Sequence, residues 1–119
     1  MPLTIYHNPR CSKSRKTLEL IRERGIEPDV VPYLEEPPPA ARIREFARML
    51  GCPVRDLLRQ NEEDFKEATD LPDLDDQPAI AEWLARHPRV LQRPIVVDVD
   101  GGRAVIGRPP ESVLGLLPS

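Results

Sequence analysis

The 119-residue sequence predicts an α/β fold built on a mixed four-stranded sheet. Three observations carry that expectation. A β-rich stretch and a helical stretch alternate near the N-terminus, an apolar hairpin stands near the C-terminus, and the pattern between them is helical throughout. Leu3–His7 (LTIYH) is short and rich in β formers. From Ser12 to Arg24 the residues Thr17, Leu20 and Ile21 follow helical spacing, and Gly25 supplies a stop. The stretch EPDVVPYL reads as a second strand, and Pro28 and Pro32 mark it as an edge. Together these make a β-α-β unit with parallel strands and a right-handed crossover.

The middle of the chain continues as helix. Prolines open EEPPPAARIREFARMLG, Ile43, Phe46, Ala47 and Leu50 follow, and Gly51 closes it. PVRDLLRQ and EEDFKEA predict short helices, and DDQPAIAEWLARHP puts Ile80, Trp83 and Leu84 on one helical face. RPIVVDVDGGRAVIGRPP then predicts a hairpin about Asp100-Gly101-Gly102, and PPESVLGLL a last helix. The order β-α-β, helical block, β-hairpin, α matches the thioredoxin-like layout. It predicts a single domain over residues 1–119, with a helical insertion at about 36–90, longer than an ordinary connection.

Charge and composition exclude several classes of function. Lys and Arg number 17 against 20 Asp and Glu, a net charge of −3, so neither nucleic acid nor an anionic membrane is an expected partner. No run approaches the roughly 18 apolar residues of a membrane span, and MPLTIYHNPR lacks the pattern of a secretory signal. The cysteines, Cys11 and Cys52, form no C-x-x-C, which predicts free thiols in a cytoplasmic protein. Two histidines and two separated cysteines offer no metal-ligand cluster, so no bound metal or organic cofactor is expected.

Cys11 is the residue whose surroundings point to chemistry. It falls at the start of the first predicted helix, where unpaired N–H groups and the helix dipole favour an anion. Arg10, Lys13 and Arg15 add positive charge and His7 is near in sequence, all of which favour thiolate over thiol. An inert, buried cysteine would have apolar neighbours, and none flank Cys11. Position 14 is Ser, so a second thiol three residues on is missing and any redox cycle needs an outside thiol. Thr17 stands where a phosphatase-like loop would need arginine. Arg59 in LLRQN, Arg93 in QRPIVV and Arg108 in IGRPPE could each bind a tetrahedral oxyanion through paired donors. A lone arginine is ordinarily a solvated surface residue.

As an ordered set, however, these blocks are specific. IYHNPRCSKSR, EPDVVPYLEEPP, VRDLLRQN, RPIVV and GRPPESVL resemble those of the glutaredoxin-coupled arsenate reductase (ArsC) family, from Leu3 to Leu117. The resemblance implies that Cys11 is the nucleophile that attacks arsenate. It implies oxyanion-binding roles for Arg59, Arg93 and Arg108, thiolate-tuning roles for His7 and Ser14, and a cis Arg93–Pro94 bond. It further implies glutathione as reductant and glutaredoxin as partner. Two other functions share the same residues: a thiol-dependent reductase of another small substrate, and a non-enzymatic regulator on the same fold. Ser14 argues against the regulator, because one thiol cannot form a C-x-x-C switch disulfide.

Overall fold

Strands β1 (Leu3–His7), β2 (Asp29–Pro32), β3 (Ile95–Asp98) and β4 (Arg103–Ile106) form one sheet in the order β2-β1-β3-β4. The computed structural model describes residues 2–117. β1 runs parallel to β2, with Ile5 opposite Val30, and antiparallel to β3, with Ile5 opposite Val96. β3 and β4 are antiparallel, with Val96 opposite Val105. The mixed sheet is the one expected, and β2, which follows Pro28 and ends in Pro32, lies at its edge. An edge strand tolerates Pro because no ladder partner needs its missing N–H.

Helix α1 (Ser12–Glu23) joins β1 to β2. Its buried face is Ser14, Thr17, Leu18 and Ile21, the i, i+3, i+4, i+7 set. Leu20, expected to point inward, is only half-buried. The face is counted from Ser14, a polar residue that periodicity alone scores as exposed. Gly25, at φ 77°, ends the helix in the left-handed conformation that glycine adopts without strain. Leu3, Ile5, Leu18, Ile21, Val96 and Val113 make the core under the sheet. Every residue of β3 is buried, as for a strand covered on both faces. The last helix, Pro110–Gly115, is 3-10 and packs on α1. Prolines at 109 and 110 remove two N–H donors, and its bonds close at i→i+3, as from Ser112 N–H to the Pro109 carbonyl.

The contacts divide the chain into two units, Met1–Tyr33 with Arg93–Ser119, and Leu34–Gln92. The second unit is helical. α2 (Ala40–Leu50) packs on α4 (Gln77–Arg86), with the four-residue α3 (Glu63–Lys66) between them in sequence. Ile43, Phe46, Ile80, Trp83 and Leu84 are buried. Asp76 caps α4, its carboxylate accepting from the Ala79 N–H at 3.2 Å. Trp83 donates through Nε1 to Asp70 at 3.0 Å, and His87 stacks on its ring at 4.1 Å.

The stretch PVRDLLRQ departs from expectation. Its 3-10 helix stops at Leu57, and Leu58 is extended, bridging antiparallel to Leu91. The Gln92 N–H donates to the Leu57 carbonyl at 2.8 Å. Arg59 therefore lies beyond the helix, on a strand-like segment. That pairing spans more than thirty residues, beyond the reach of local periodicity. Among the described residues, no helix is long and apolar enough to cross a membrane.

Candidate active site around Cys11

The turn between β1 and α1 is built by Asn8. Its carbonyl accepts from the Cys11 N–H at 3.0 Å, and its side-chain Oδ1 accepts from the Arg10 N–H at 3.0 Å. This Asx-type closure lets the chain turn sharply off the strand. Cys11 becomes the N-cap of α1, in extended conformation (φ −93°, ψ 122°). The thiol is half-buried, placed where the first-turn N–H groups of the helix converge.

Burial and its polar neighbours set its acidity in opposite directions. Burial pushes the Cys11 thiol up, but the Ser14 N–H, the Arg93 side chain and the Lys13 N–H together hold it below an ordinary thiol. The source of that depression differs from expectation. Lys13 acts through its backbone rather than its ammonium, Arg10 is exposed, and the Arg15 guanidinium donates to the Pro9 carbonyl at 2.9 Å. The cation that faces the sulfur is Arg93, distant in sequence but beside it in the fold.

Cys52 is the opposite case. Burial and then the neighbouring Asp56 carboxylate push its thiol up. Iodoacetamide at neutral pH should therefore label Cys11 well before Cys52, since the thiolate is the nucleophile. Peptide mapping of partly alkylated protein reads the order, and Cys52 labelled first would contradict it.

His7 and Ser14 meet beneath the turn. The Ser14 Oγ lies 2.6 Å from His7 Nδ1 and accepts from the Asn8 N–H at 3.0 Å, with Ser14 fully buried. Burial, then the Arg22 and Arg15 charges, lower the His7 pKa from its ordinary 6.5, so the imidazole is neutral near pH 7. A histidine depressed in the folded state contributes stability above the unfolded value, about 6.5, and that contribution is lost as pH falls toward the folded value. Urea midpoints of wild type should fall more than those of His7→Gln between about pH 7.5 and about 5.5. Parallel falls would remove His7 as the source.

Arg93 and Arg108 are brought together. The Arg108 Nη1 donates to the Arg93 carbonyl at 3.3 Å, and the Arg93–Pro94 bond is cis. Arg108–Pro109 is cis as well. Arg59 belongs to the helical unit, where its guanidinium donates to Glu62 at 2.7 Å. Asn8 was missed as a site builder, although Asn-Pro directly before the cysteine is a turn signal.

An acidified N-cap thiol after β1, with no second cysteine in its turn and a guanidinium facing it from the segment before β3, defines a member of the thioredoxin-like proteins with one cysteine at its site. The ArsC family model matches residues 6–116, and the chain belongs to that family. It is 42% identical to an arsenate reductase of Escherichia coli, over 98% of this chain and 81% of the relative. It is 46% identical to the uncharacterized protein YfgD of Escherichia coli K12, over 95% of this chain and 94% of the relative. The solved arsenate reductase of Vibrio cholerae superposes with a TM-score of 0.86 at 43% identity, covering 98% of each chain.

Proposed function

We propose that this chain reduces arsenate to arsenite through Cys11, with glutathione as reductant and glutaredoxin as partner. The Cys11 thiolate attacks the arsenic of arsenate, and one arsenic oxygen leaves as water to give a Cys11–arsenate thioester. Arg93 and Arg108 hold the remaining oxygens through paired N–H donors. A glutathione thiolate attacks the Cys11 sulfur, a Cys11–glutathione disulfide forms as the S–As bond breaks, and the pair left on arsenic takes As(V) to As(III). Arsenite leaves, and glutaredoxin returns Cys11 to the thiol, with glutathione disulfide as the final oxidised product. Cys11 has no thiol at position 14, which is what calls for the external reductant. The setting is the cytoplasm, where glutathione is kept reduced. Arg59 joins the oxyanion ligands on the strength of the family resemblance.

The observation that carries this reading is the Arg93 guanidinium on the Cys11 sulfur, with Arg108 bonded to the Arg93 carbonyl. A thiolate nucleophile and two anion-binding side chains then share one end of the sheet. Covalent catalysis by cysteine needs both, because the attacked group carries negative charge that grows in the transition state. The similarity to YfgD, whose name carries no substrate, favours a second reading in which the same thiol and arginines act on another small oxyanion. Arsenate-dependent oxidation of NADPH, in a coupled assay with glutathione, glutaredoxin and glutathione reductase, separates the two. Turnover that needs every component supports arsenate, and its absence in protein whose Cys11 still alkylates supports the second reading.

A further inference from the structure

Gly107 is buried, in the turn after β4, and its N–H donates to the Pro94 carbonyl at 2.9 Å. A Cβ at this position would lie 2.5 Å from Thr17 Oγ1, 3.0 Å from Thr17 Cγ2 and 2.9 Å from Pro94 Cγ. Its φ is not in the left-handed region, so space rather than conformation demands glycine here. Thr17 cannot easily yield: it is fully buried, and its Oγ1 donates to the Lys13 carbonyl at 2.8 Å.

Each neighbour of that missing methyl leads directly to the thiol site. Thr17 belongs to α1, whose N-cap is Cys11. Pro94 follows Arg93, the residue whose side chain meets the sulfur. Arg108 follows Gly107 and donates to the Arg93 carbonyl. Three backbone segments thus close on one point. We propose that Gly107, pressed against Thr17 and Pro94, is a positioning residue that sets the Arg93–Arg108 pair against Cys11. An added methyl would wedge α1 from the Arg93–Pro94 segment and draw the guanidinium away from the sulfur. The groups facing that sulfur are the Arg93 side chain and the Ser14 and Lys13 N–H groups. The wedge moves only the first of these.

The decisive measurement is the pH midpoint of Cys11 alkylation by iodoacetamide, read in wild type, Gly107→Ala and Gly107→Ala/Thr17→Ala. Gly107→Ala should raise the midpoint by about half a unit, a fraction of what a close opposite charge supplies. Removing both Thr17 branch atoms reopens the space, so the double variant should return most of the way. This rescue is not expected of a glycine that serves stability alone. An unchanged midpoint in folded Gly107→Ala overturns the proposal, as does a double variant shifted as far as the single one. Should Gly107→Ala not fold, Thr17→Val presses on the same contact from the helix side and should raise the midpoint. No rise there overturns the proposal equally. A second arm rests on the arsenate reading: the arsenate KM of Gly107→Ala should rise about tenfold, more than kcat falls, and recover in the double variant. A smaller rise, or none, in an active enzyme counts against the proposal. Wild type inactive on arsenate overturns that reading alone, and the alkylation midpoints still decide the role of Gly107.

Discussion

Cys11→Ser is expected to lose arsenate reduction by at least about a thousandfold, the scale on which removing a covalent nucleophile acts. A serine hydroxyl at the helix N-cap keeps the backbone geometry but is not ionised near neutral pH, so the attack on arsenic has no nucleophile. Cys52→Ser should turn over near the wild-type rate. Cys52 sits after the left-handed Gly51 that ends α2, with its N–H on the Ala47 carbonyl and its thiol pushed up by burial and then by Asp56. It is half-buried rather than a fully enclosed small hydrophobe. The assay uses glutathione, glutaredoxin and arsenate for all three proteins, with circular dichroism to confirm that each is folded. Residual turnover in Cys11→Ser, or loss of it in folded Cys52→Ser, would overturn the assignment. So would a Cys11–Cys52 disulfide trapped during turnover, which would make the protein its own resolving partner.

Arg93→Ala should cut kcat/KM for arsenate by about 10²–10³-fold, the cost of one preorganised donor to a developing anion. It should also raise the alkylation midpoint of Cys11. The sign follows from the charge: Arg93 favours the thiolate, so its removal returns the proton to sulfur at higher pH. Loss of both properties in one variant is the signature of a guanidinium that serves nucleophile and oxyanion together. Arg93→Lys should restore the midpoint better than the catalysis, because a point charge stabilises a thiolate but cannot reproduce the two-pronged fork. Arg108→Ala, whose side chain touches the Arg93 carbonyl, should raise KM and shift the midpoint less. Arg44→Ala, exposed on α2, is the surface control. Equal damage from Arg44→Ala in folded protein would remove the pocket assigned to Arg93.

Much of the first unit was legible because its signals are local. β1, α1 and β2 follow from apolar spacing and from Gly25. The β3–β4 hairpin follows from the Asp-Gly-Gly turn, which Asp98 stabilises by accepting from the Gly101 N–H at 3.1 Å. Cys11 at a helix start was visible for the same reason, since the cap and the helix are adjacent in sequence. Where a polar residue held a buried position, the pattern misled: Thr17 and Ile21 lie on the inward face of α1 as expected, but Ser14 starts that face and Leu18 takes the place expected of Leu20.

The sequence by itself determined the element order, the mixed sheet, the edge strand and a cysteine held in a helix N-terminus. Local spacing and turn chemistry are enough for the elements and the cysteine, whose groups lie within a few residues of one another, and the order of those elements then limits the sheet to a mixed one. Only the tertiary structure decided which cation reaches the sulfur. The nearby Arg10, Lys13 and Arg15 point elsewhere or act through the backbone, while Arg93 arrives from the far end of the chain by way of β3 pairing with β1. It alone revealed the Leu58–Leu91 bridge and the contact of Gly107 with Thr17 and Pro94. Electrostatic and steric terms act over a few ångströms of space, and sequence distance carries no record of which remote residues the sheet brings that close.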